Sequence, residues 1–446
     1  MFHFIFGGIH LEGRKETTRG KPMALLEVAP KQVILPMSMH AGAPCAPTVT
    51  VGQAVELGQP VGRSEEGMVI HASVSGTVSA VEPRPHPGGG TCLAVVIDND
   101  GKNTLWTAEA DVHADYERMS AEQIVRRITE AGITGMGGKG LPTGEKLAAA
   151  WNKVDTLIIN AAESEPYVTA DHRLLLERGE PVLIGAQILK KAVGAHRAVI
   201  AVEGNKLNAV EVLERRRARR KIDVDVCAVP SRYPLGAEKQ IVKTATGREV
   251  PPGGTAMDVG CVVINAATTF AVYQALVKDR PLTHRAVTVT GGTMIRPRNF
   301  WVPIGTPMRE LVEASGGFRE KAAILFTGGP MTGAALETLD APVTKSTNSV
   351  IALADWEYTA PPKQTVCIRC GRCVAVCPMH LMPLLVHREL TLGGDVEELE
   401  RFHAEDCIAC GCCTYICPAN IPLKQRMAEA AERVARTADR GEEVAP

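Results

Sequence analysis

Aromatic residues are scarce, 4% of 446 positions, and net charge is nearly absent, since 49 Lys and Arg stand against 50 Asp and Glu. A nucleic-acid binder carries a basic surplus, and none exists here, so no nucleic-acid partner is expected. Long uninterrupted hydrophobic runs are missing too. Val259 to Val277 carries no charge, yet Asn265, Thr268, Thr269 and Gln274 break it, and a Val-Ile run passes into an Ala-rich segment. A buried strand entering a core helix is expected there, not a membrane span. The opening MFHFIFGGIH has no basic n-region, and charges at Glu12, Arg14 and Lys15 follow at once, so no export signal is expected. Cysteine is sparse outside one block: of thirteen, only Cys45, Cys92, Cys227 and Cys261 precede Cys367. Such crowding without an export signal reads as metal binding in a reducing compartment rather than as disulfides.

What remains is an ordinary globular composition, 45% hydrophobic and 22% charged, long enough for about three domains at roughly 150 residues each. The chain to about Asn103 reads as β, with short runs at Val33–Leu35, Val49–Val51 and Leu93–Ile97 between Gly and Pro breaks. VTVGQAVELGQPVG at 49–62 and HASVSGTVSAVEP at 71–83 resemble the biotinyl/lipoyl-type barrel-sandwich hybrid. That family carries a cofactor-bearing lysine at a hairpin tip. The corresponding Ala72–Gly76 has none, so a structural or docking barrel is expected. From Ser120 the texture alternates: a helix to about Ala131 with Ser120 as N-cap and Gln123 three residues on, and a glycine loop at 135–144. A strand at 156–159, a helix at 181–193, a strand at 198–202 and a helix from Leu207 follow. This order implies a mostly parallel sheet under helices. The run Arg215–Lys221 suits a solvated helix C-terminus. A second β-rich unit spans 286–330, a polar stretch near 340–363 reads as linker, and the last twenty residues read as a frayed helix.

Cys367-Ile-Arg-Cys370-Gly-Arg-Cys373-Val-Ala-Val-Cys377-Pro378 fits C-x2-C-x2-C-x3-C-P, and Cys407, Cys410, Cys413, Cys417 and Pro418 repeat it. This is the bacterial ferredoxin pattern for [4Fe–4S] clusters, in which the fourth cysteine of each run serves the other cluster. Cluster one is therefore assigned to Cys367, Cys370, Cys373 and Cys417, and cluster two to Cys407, Cys410, Cys413 and Cys377. Cys412 breaks the spacing and is left unliganded. A zinc site has no use for the further cysteine three residues beyond each C-x2-C pair.

Two clusters relay electrons but need a redox partner, and the glycine loop is the place to look. It lacks the P-loop ending, and it lacks the usual strand-first dinucleotide context. Directly after a buried strand, however, stands Asn160-Ala-Ala-Glu163-Ser-Glu165-Pro166, where acidic groups can accept from ribose or nicotinamide. GMGGKGLPTGEK at 135–146, NAAESEP, YPLGAE at 233–238 and INAAT at 264–268 resemble, in order, the FMN- and NADH-binding segments of the complex I flavin subunit. With GGIHLEGRKE, LPMSMHAGAPC, SEPYVTADHRLLLE, TGREVPPGG, FTGGPMTG and both cysteine motifs, nearly the whole chain resembles the RnfC family of ion-pumping ferredoxin:NAD oxidoreductase (Rnf) complexes.

That resemblance implies a multidomain α/β protein. It would comprise a barrel-sandwich hybrid at 1–115, an FMN/NADH-binding α/β domain at 116–283, a β-grasp domain at 284–340, a linker at 341–362, a two-cluster ferredoxin-type domain at 363–425 and a charged tail at 426–446. It places non-covalent FMN at Gly135, Gly137, Gly138, Lys139, Gly140, Lys146, Asn160, Glu238 and Asn265, and Glu163 and Glu165 beside flavin and incoming NADH. Lys139, Leu141 and Ala162 depart from the complex I pattern and bear on the nicotinamide contacts. The expected partners are membrane-integral and iron–sulfur subunits, with ferredoxin reached through them, and the expected place is the cytoplasmic membrane face without a transmembrane segment. The alternatives are a soluble flavin reductase of the same superfamily, such as a cobalamin reductase or the proline-reductase electron carrier, or a flavin-less wiring subunit.

Overall fold

A computed structural model describes residues 6–107, 115–138, 140–360, 362–394 and 396–442, with side chains to 437. Lys139 lies outside the described residues. Two small antiparallel sheets make the barrel. One orders Gln32–Pro36, Thr91–Asn99, Gly76–Pro85 and Ala54–Val55, and the other Ala46–Pro47, Pro60–Arg63 and Val69–His71. Val49–Val51 is not a strand: it leads into a turn at Gly52, which has φ +87°, a backbone that favours glycine. Ala72, Ser73, Val74 and Ser75 are all buried, and the Ser73 hydroxyl donates to the Ile304 carbonyl. The hairpin tip is thus packed against the β-grasp unit, where a swinging arm would need it free.

The central sheet is parallel, ordered Asp225–Val229, Arg197–Glu203, Thr156–Ala161, Cys261–Asn265. From Thr156–Ala161 the chain steps outward twice, then returns to the opposite side of that strand. This reversal creates a crevice beyond the strand ends. Ser120 and Gln123 form the expected reciprocal cap on the helix Ala121–Glu130. Val259–Val277 resolves as expected into the buried strand and the helix Ala266–Val277. The helix expected at 181–193 begins earlier, at Ala170, and passes through Pro181 by way of a kink at Arg178 (φ −123°, ψ 26°). Proline is tolerated because it falls in the first turn of the segment after the kink.

The β-grasp sheet orders Ala24–Leu25, Arg298–Pro303, His284–Thr290, Ser349–Leu353, Ile324–Thr327 and Ala334–Ala335. Two boundaries change here. The expected linker at 341–362 supplies an interior, wholly buried strand, Ser349–Leu353, flanked on both sides. Its five residues are masked in the sequence by the polar turn before them, whose Thr344 amide donates to the Thr347 hydroxyl. The expected tail from 426 is the body of the helix Leu423–Glu442, with Met427 and Ala430 buried against the ferredoxin unit. Among the described residues no helix is long and apolar enough to cross a membrane.

The central unit depends on helix Ala170–Val193 lying close on Ala266–Val277. A Cβ at Gly185 would stand 2.2 Å from the Thr269 carbonyl oxygen, so only glycine permits the approach. Gly185→Ala should destabilise the chain by about 1–3 kcal/mol, read as a lowered thermal midpoint. Gly20→Ala, with open space and φ −87°, should leave the midpoint unchanged.

Candidate functional site

Asn160 and Asn265 are register partners at the C-terminal ends of the two strands that flank the reversal. The glycine loop closes over them. Gly135 N donates to Leu141 O at 2.8 Å, Met136 N to Thr268 Oγ1 at 2.9 Å, and a Cβ on Gly137 would sit 3.1 Å from Asn265 Nδ2. Gly140 has φ +68°. The strand-end asparagines hold the loops beyond them: Asn160 Nδ2 donates to Gly236 O at 2.8 Å, and Asn265 Oδ1 caps its helix at Ala267 N, 2.8 Å. Lys146 Nζ meets Glu238 Oε2 at 2.6 Å, tying the helix Thr143–Ala150 to the helix Glu238–Thr246. Neither helix start has a side-chain cap; Thr143 N is taken by Ile133 O and Gln240 N by Ala237 O, which leaves the amides of Gly144, Glu145, Glu238 and Lys239 for an anion. A glycine cradle and two uncapped helix starts at a switch-point crevice fit a phosphate-bearing cofactor.

Glu163 and Glu165 sit nearby, but protein donors engage both carboxylates. Glu163 accepts from Asp171 N at 2.7 Å and His172 N at 3.3 Å, capping the long helix, while its own backbone is left-handed at φ +47°. Glu165 accepts from Thr332 Oγ1 at 2.6 Å and Met331 N at 3.1 Å. Behind them lies a charged layer that sequence reasoning missed. Lys15 Nζ donates to Glu163 O at 2.6 Å, Lys206 Nζ to Ala162 O at 2.7 Å and Glu203 Oε2 at 2.8 Å, and Asp171 Oδ2 accepts from Asn265 Nδ2 at 2.8 Å. Burial pushes the Glu163 carboxyl up to about 7 against the pull of Lys15, with Asp171 adding to the rise, and it pulls Lys15 down to about 8. Asp171 is raised by the same desolvation. Asp171 lies in SEPYVTADHRLLLE, one of the segments that carry the family resemblance, but its partner is 94 residues away.

The cysteines fall into two nests. Cys367, Cys370, Cys373 and Cys417 line one cavity, and Cys377, Cys407, Cys410 and Cys413 line the other, which Cys412 also borders. The two motifs fold alike: Arg369 and Ala409, Gly371 and Gly411, and His380 and Asn420 all take positive φ at matching steps. Backbone amides also turn toward sulfur, Leu381 N to Cys377 Sγ at 3.3 Å and Ala409 N to Cys407 Sγ at 3.4 Å. Four thiols around one cavity fit a cubane iron–sulfur cluster and the donors it requires.

The nests differ in position. The one with Cys377 adjoins the loop leaving the crevice, where Tyr233 Oη donates to Cys410 O at 2.7 Å and Gln240 Nε2 to Pro378 O at 2.9 Å. Lys239 pairs with Asp406 at 2.9 Å across the same seam. The other nest opens outward, with Cys370 exposed beside exposed Ile368 and Val366. Tyr233 was legible only as part of YPLGAE; its role as a bridge comes from the fold.

A switch-point crevice wired to two four-cysteine nests defines an electron-transfer protein with a nucleotide-type cofactor and iron–sulfur clusters. Family models match in the same layout: RnfC barrel sandwich hybrid domain at 3–102, Nuo51 FMN-binding domain at 128–274, SLBB domain at 286–335 and 4Fe-4S dicluster domain at 363–418. The chain is 39% identical over 383 residues (85% of its length, 83% of the relative's) to the RnfC-type component of the proton-translocating ferredoxin:NAD(+) oxidoreductase complex of Clostridium ljungdahlii. It is 40% identical over 382 residues (85% of each) to the Na(+)-translocating counterpart of Acetobacterium woodii. A solved NAD+-reducing [NiFe]-hydrogenase covers 73% of this chain and 63% of its own at 19% identity and TM-score 0.49, a likeness too distant to bear on function. The chain belongs to the RnfC family of ion-translocating ferredoxin:NAD(+) oxidoreductase complexes.

The nests make the crossed ligation testable. With Cys367, Cys370 and Cys373 all changed to serine, the surviving cluster should require Cys377 and tolerate Cys417→Ser, because serine oxygen is a poor iron ligand beside thiolate. Iron content and electron paramagnetic resonance read the outcome. Dependence on Cys417 instead would show that each motif closes on its own cube. Cys412→Ser should leave iron content unchanged.

Proposed function

We propose that this chain is the electron-transfer subunit of an ion-translocating ferredoxin:NAD+ oxidoreductase, exchanging hydride with NAD(H) at FMN and relaying single electrons through two [4Fe–4S] clusters. One observation carries the reading: the short segment from Tyr233 to Glu238 touches the Cys410 nest at one end and Lys146 of the crevice at the other. When bound, FMN supplies the change from two-electron to one-electron chemistry that a cluster lacks.

The chain's own residues bind and orient. Gly135, Gly137, Gly138 and Gly140, with Lys139 among them in sequence, would hold the flavin, and Lys146 with the uncapped helix starts would supply positive charge for its phosphate. Asn160, Glu238 and Asn265 fix the loops around it. Glu163 and Glu165 shape the nucleotide side through the helix start and the 331–332 turn they hold. The nest of Cys377, Cys407, Cys410 and Cys413 is the proximal relay. The nest of Cys367, Cys370, Cys373 and Cys417 is the distal one, open to an iron–sulfur partner subunit through which ferredoxin is reached. Membrane-integral partners hold the chain peripherally on the cytoplasmic face.

Anaerobically purified protein should lose flavin and cluster absorbance on adding NADH. Acid precipitation should release FMN into the supernatant. A spectrum indifferent to NADH overturns the reading, and flavin retained in the pellet refutes its non-covalent attachment. On native membranes, high salt or a mild chaotrope should strip the chain without detergent; release by detergent alone would refute peripheral attachment.

A further inference from the structure

The barrel has no arm-bearing lysine and stands off the route from crevice to nests, yet it touches the glycine loop at both ends. That loop is a closed hairpin. Thr134 bridges to Pro142, and Thr143 N donates to Ile133 O at 3.0 Å. Near its tip the Gly140 carbonyl accepts from Ala41 N at 3.0 Å, and Ala41 belongs to the barrel segment 35–45. At its base the Gly132 carbonyl accepts from Lys345 Nζ at 2.7 Å, and the same ammonium donates to the Val69 carbonyl of a barrel strand at 2.9 Å. Gly132 has φ +65°, and a Cβ there would stand 2.2 Å from the Val69 oxygen, so strand and loop base meet backbone to backbone.

Lys345 is 1% exposed, and among the described residues no carboxylate pairs with it. An ammonium so placed is costly unless its donors are met, and here carbonyls of two separate units meet two of its three. Its backbone is fixed in turn by Arg285, itself fully buried, whose guanidinium donates to the Lys345 carbonyl. The effect of this arrangement is to fix the hairpin that lines the crevice.

We infer that Lys345 is a positioning residue for the glycine loop, and that Lys345 and the Ala41 amide make the barrel a buttress presetting that loop before FMN enters. The inference rests on the reading that the loop holds FMN. A loop fixed in its bound shape avoids the ordering cost that a free one meets on binding.

The test uses the full chain with its clusters in place and its flavin removed, titrated with FMN by fluorescence quenching. Lys345→Met keeps the stem and removes the donors. The Kd for FMN should rise about tenfold or more, the scale of a buried hydrogen bond from a charged donor, with iron content unchanged. Ala41→Pro removes the donor of the other contact and should weaken FMN in the same direction, so the question stays decidable if Lys345→Met does not fold. Hydrogen exchange of the flavin-free variants separates positioning from general loosening: amides in 133–143 should exchange faster, and those in strand 156–161 should not. Wild-type FMN affinity in a folded Lys345→Met and in Ala41→Pro, or equal acceleration in both segments, overturns the inference. A wild type that takes no FMN overturns the flavin reading itself.

Discussion

At Gly7 and Gly8 the backbone runs so close to its neighbours that a Cβ would lie 2.5 Å from the carbonyl oxygen of Cys377 in one case and of Tyr233 in the other. Both residues have positive φ, +73° and +71°, so glycine is required twice over. From this point Gly8 N donates to Val376 O at 2.8 Å, and Ile9 exchanges bonds with Tyr233 at 2.8 and 3.0 Å. A strap from the start of the chain therefore welds the first cysteine motif to the loop leaving the crevice. Electron transfer between cofactors depends on a fixed separation, and side-chain packing alone would let two domains rock. Backbone bonds through paired glycines give the seam the rigidity of a sheet edge. The same strap continues to Lys15, whose ammonium reaches Glu163 O, and to Thr18, whose hydroxyl accepts from Thr169 Oγ1 at 2.8 Å.

Beneath the crevice the strap joins a layer of buried charge. Lys15, Lys206 and Arg285 face Glu163, Asp171 and Glu203, three cations against three anions. Burial pulls even the Arg285 guanidinium down to about 10, with Asp171 the one opposing influence. Removing one member of such a pair costs about 3–5 kcal/mol because its partner is left uncompensated. Layers of this kind hold geometry more than they add stability. Here they set the start of helix Ala170–Val193 through Glu163 and the side chain of Asn265 through Asp171.

These contacts explain what could be read in advance. The two cysteine nests were legible because each is built mostly from one short motif, and spacing along the chain nearly fixes spacing in space. The parallel sheet was legible from alternating periods, and Ser120 with Gln123 from local chemistry alone. Strand Ser349–Leu353 was not, since a serine and four apolar residues after a polar turn carry no period that separates a buried strand from a linker. Glu163 and Glu165 show a subtler limit. A carboxylate at a strand end suits a ribose and a helix start equally well, and only the neighbours at Asp171, His172, Met331 and Thr332 decide. Lys345 left no local signal at all, because its partners lie 276 and 213 residues away.

The helix starts around the crevice divide by how they are capped. Ala266–Val277 is capped by Asn265 and Ala170–Val193 by Glu163, so their orphan amides are already satisfied. Thr143–Ala150 and Glu238–Thr246 are not, and the Lys146–Glu238 pair holds these two together. Positive dipole ends and the Lys146 ammonium thus gather on one side, with Glu238 as partial counter-charge. The strand-end asparagines and the capped helices occupy the other. An elongated ligand with one anionic end has a single favourable orientation in such a field. Glu165 is held by the turn at Met331, whose carbonyl also accepts from Lys424 of the ferredoxin unit at 3.1 Å. The polarity of the crevice is therefore set by the same few helix caps.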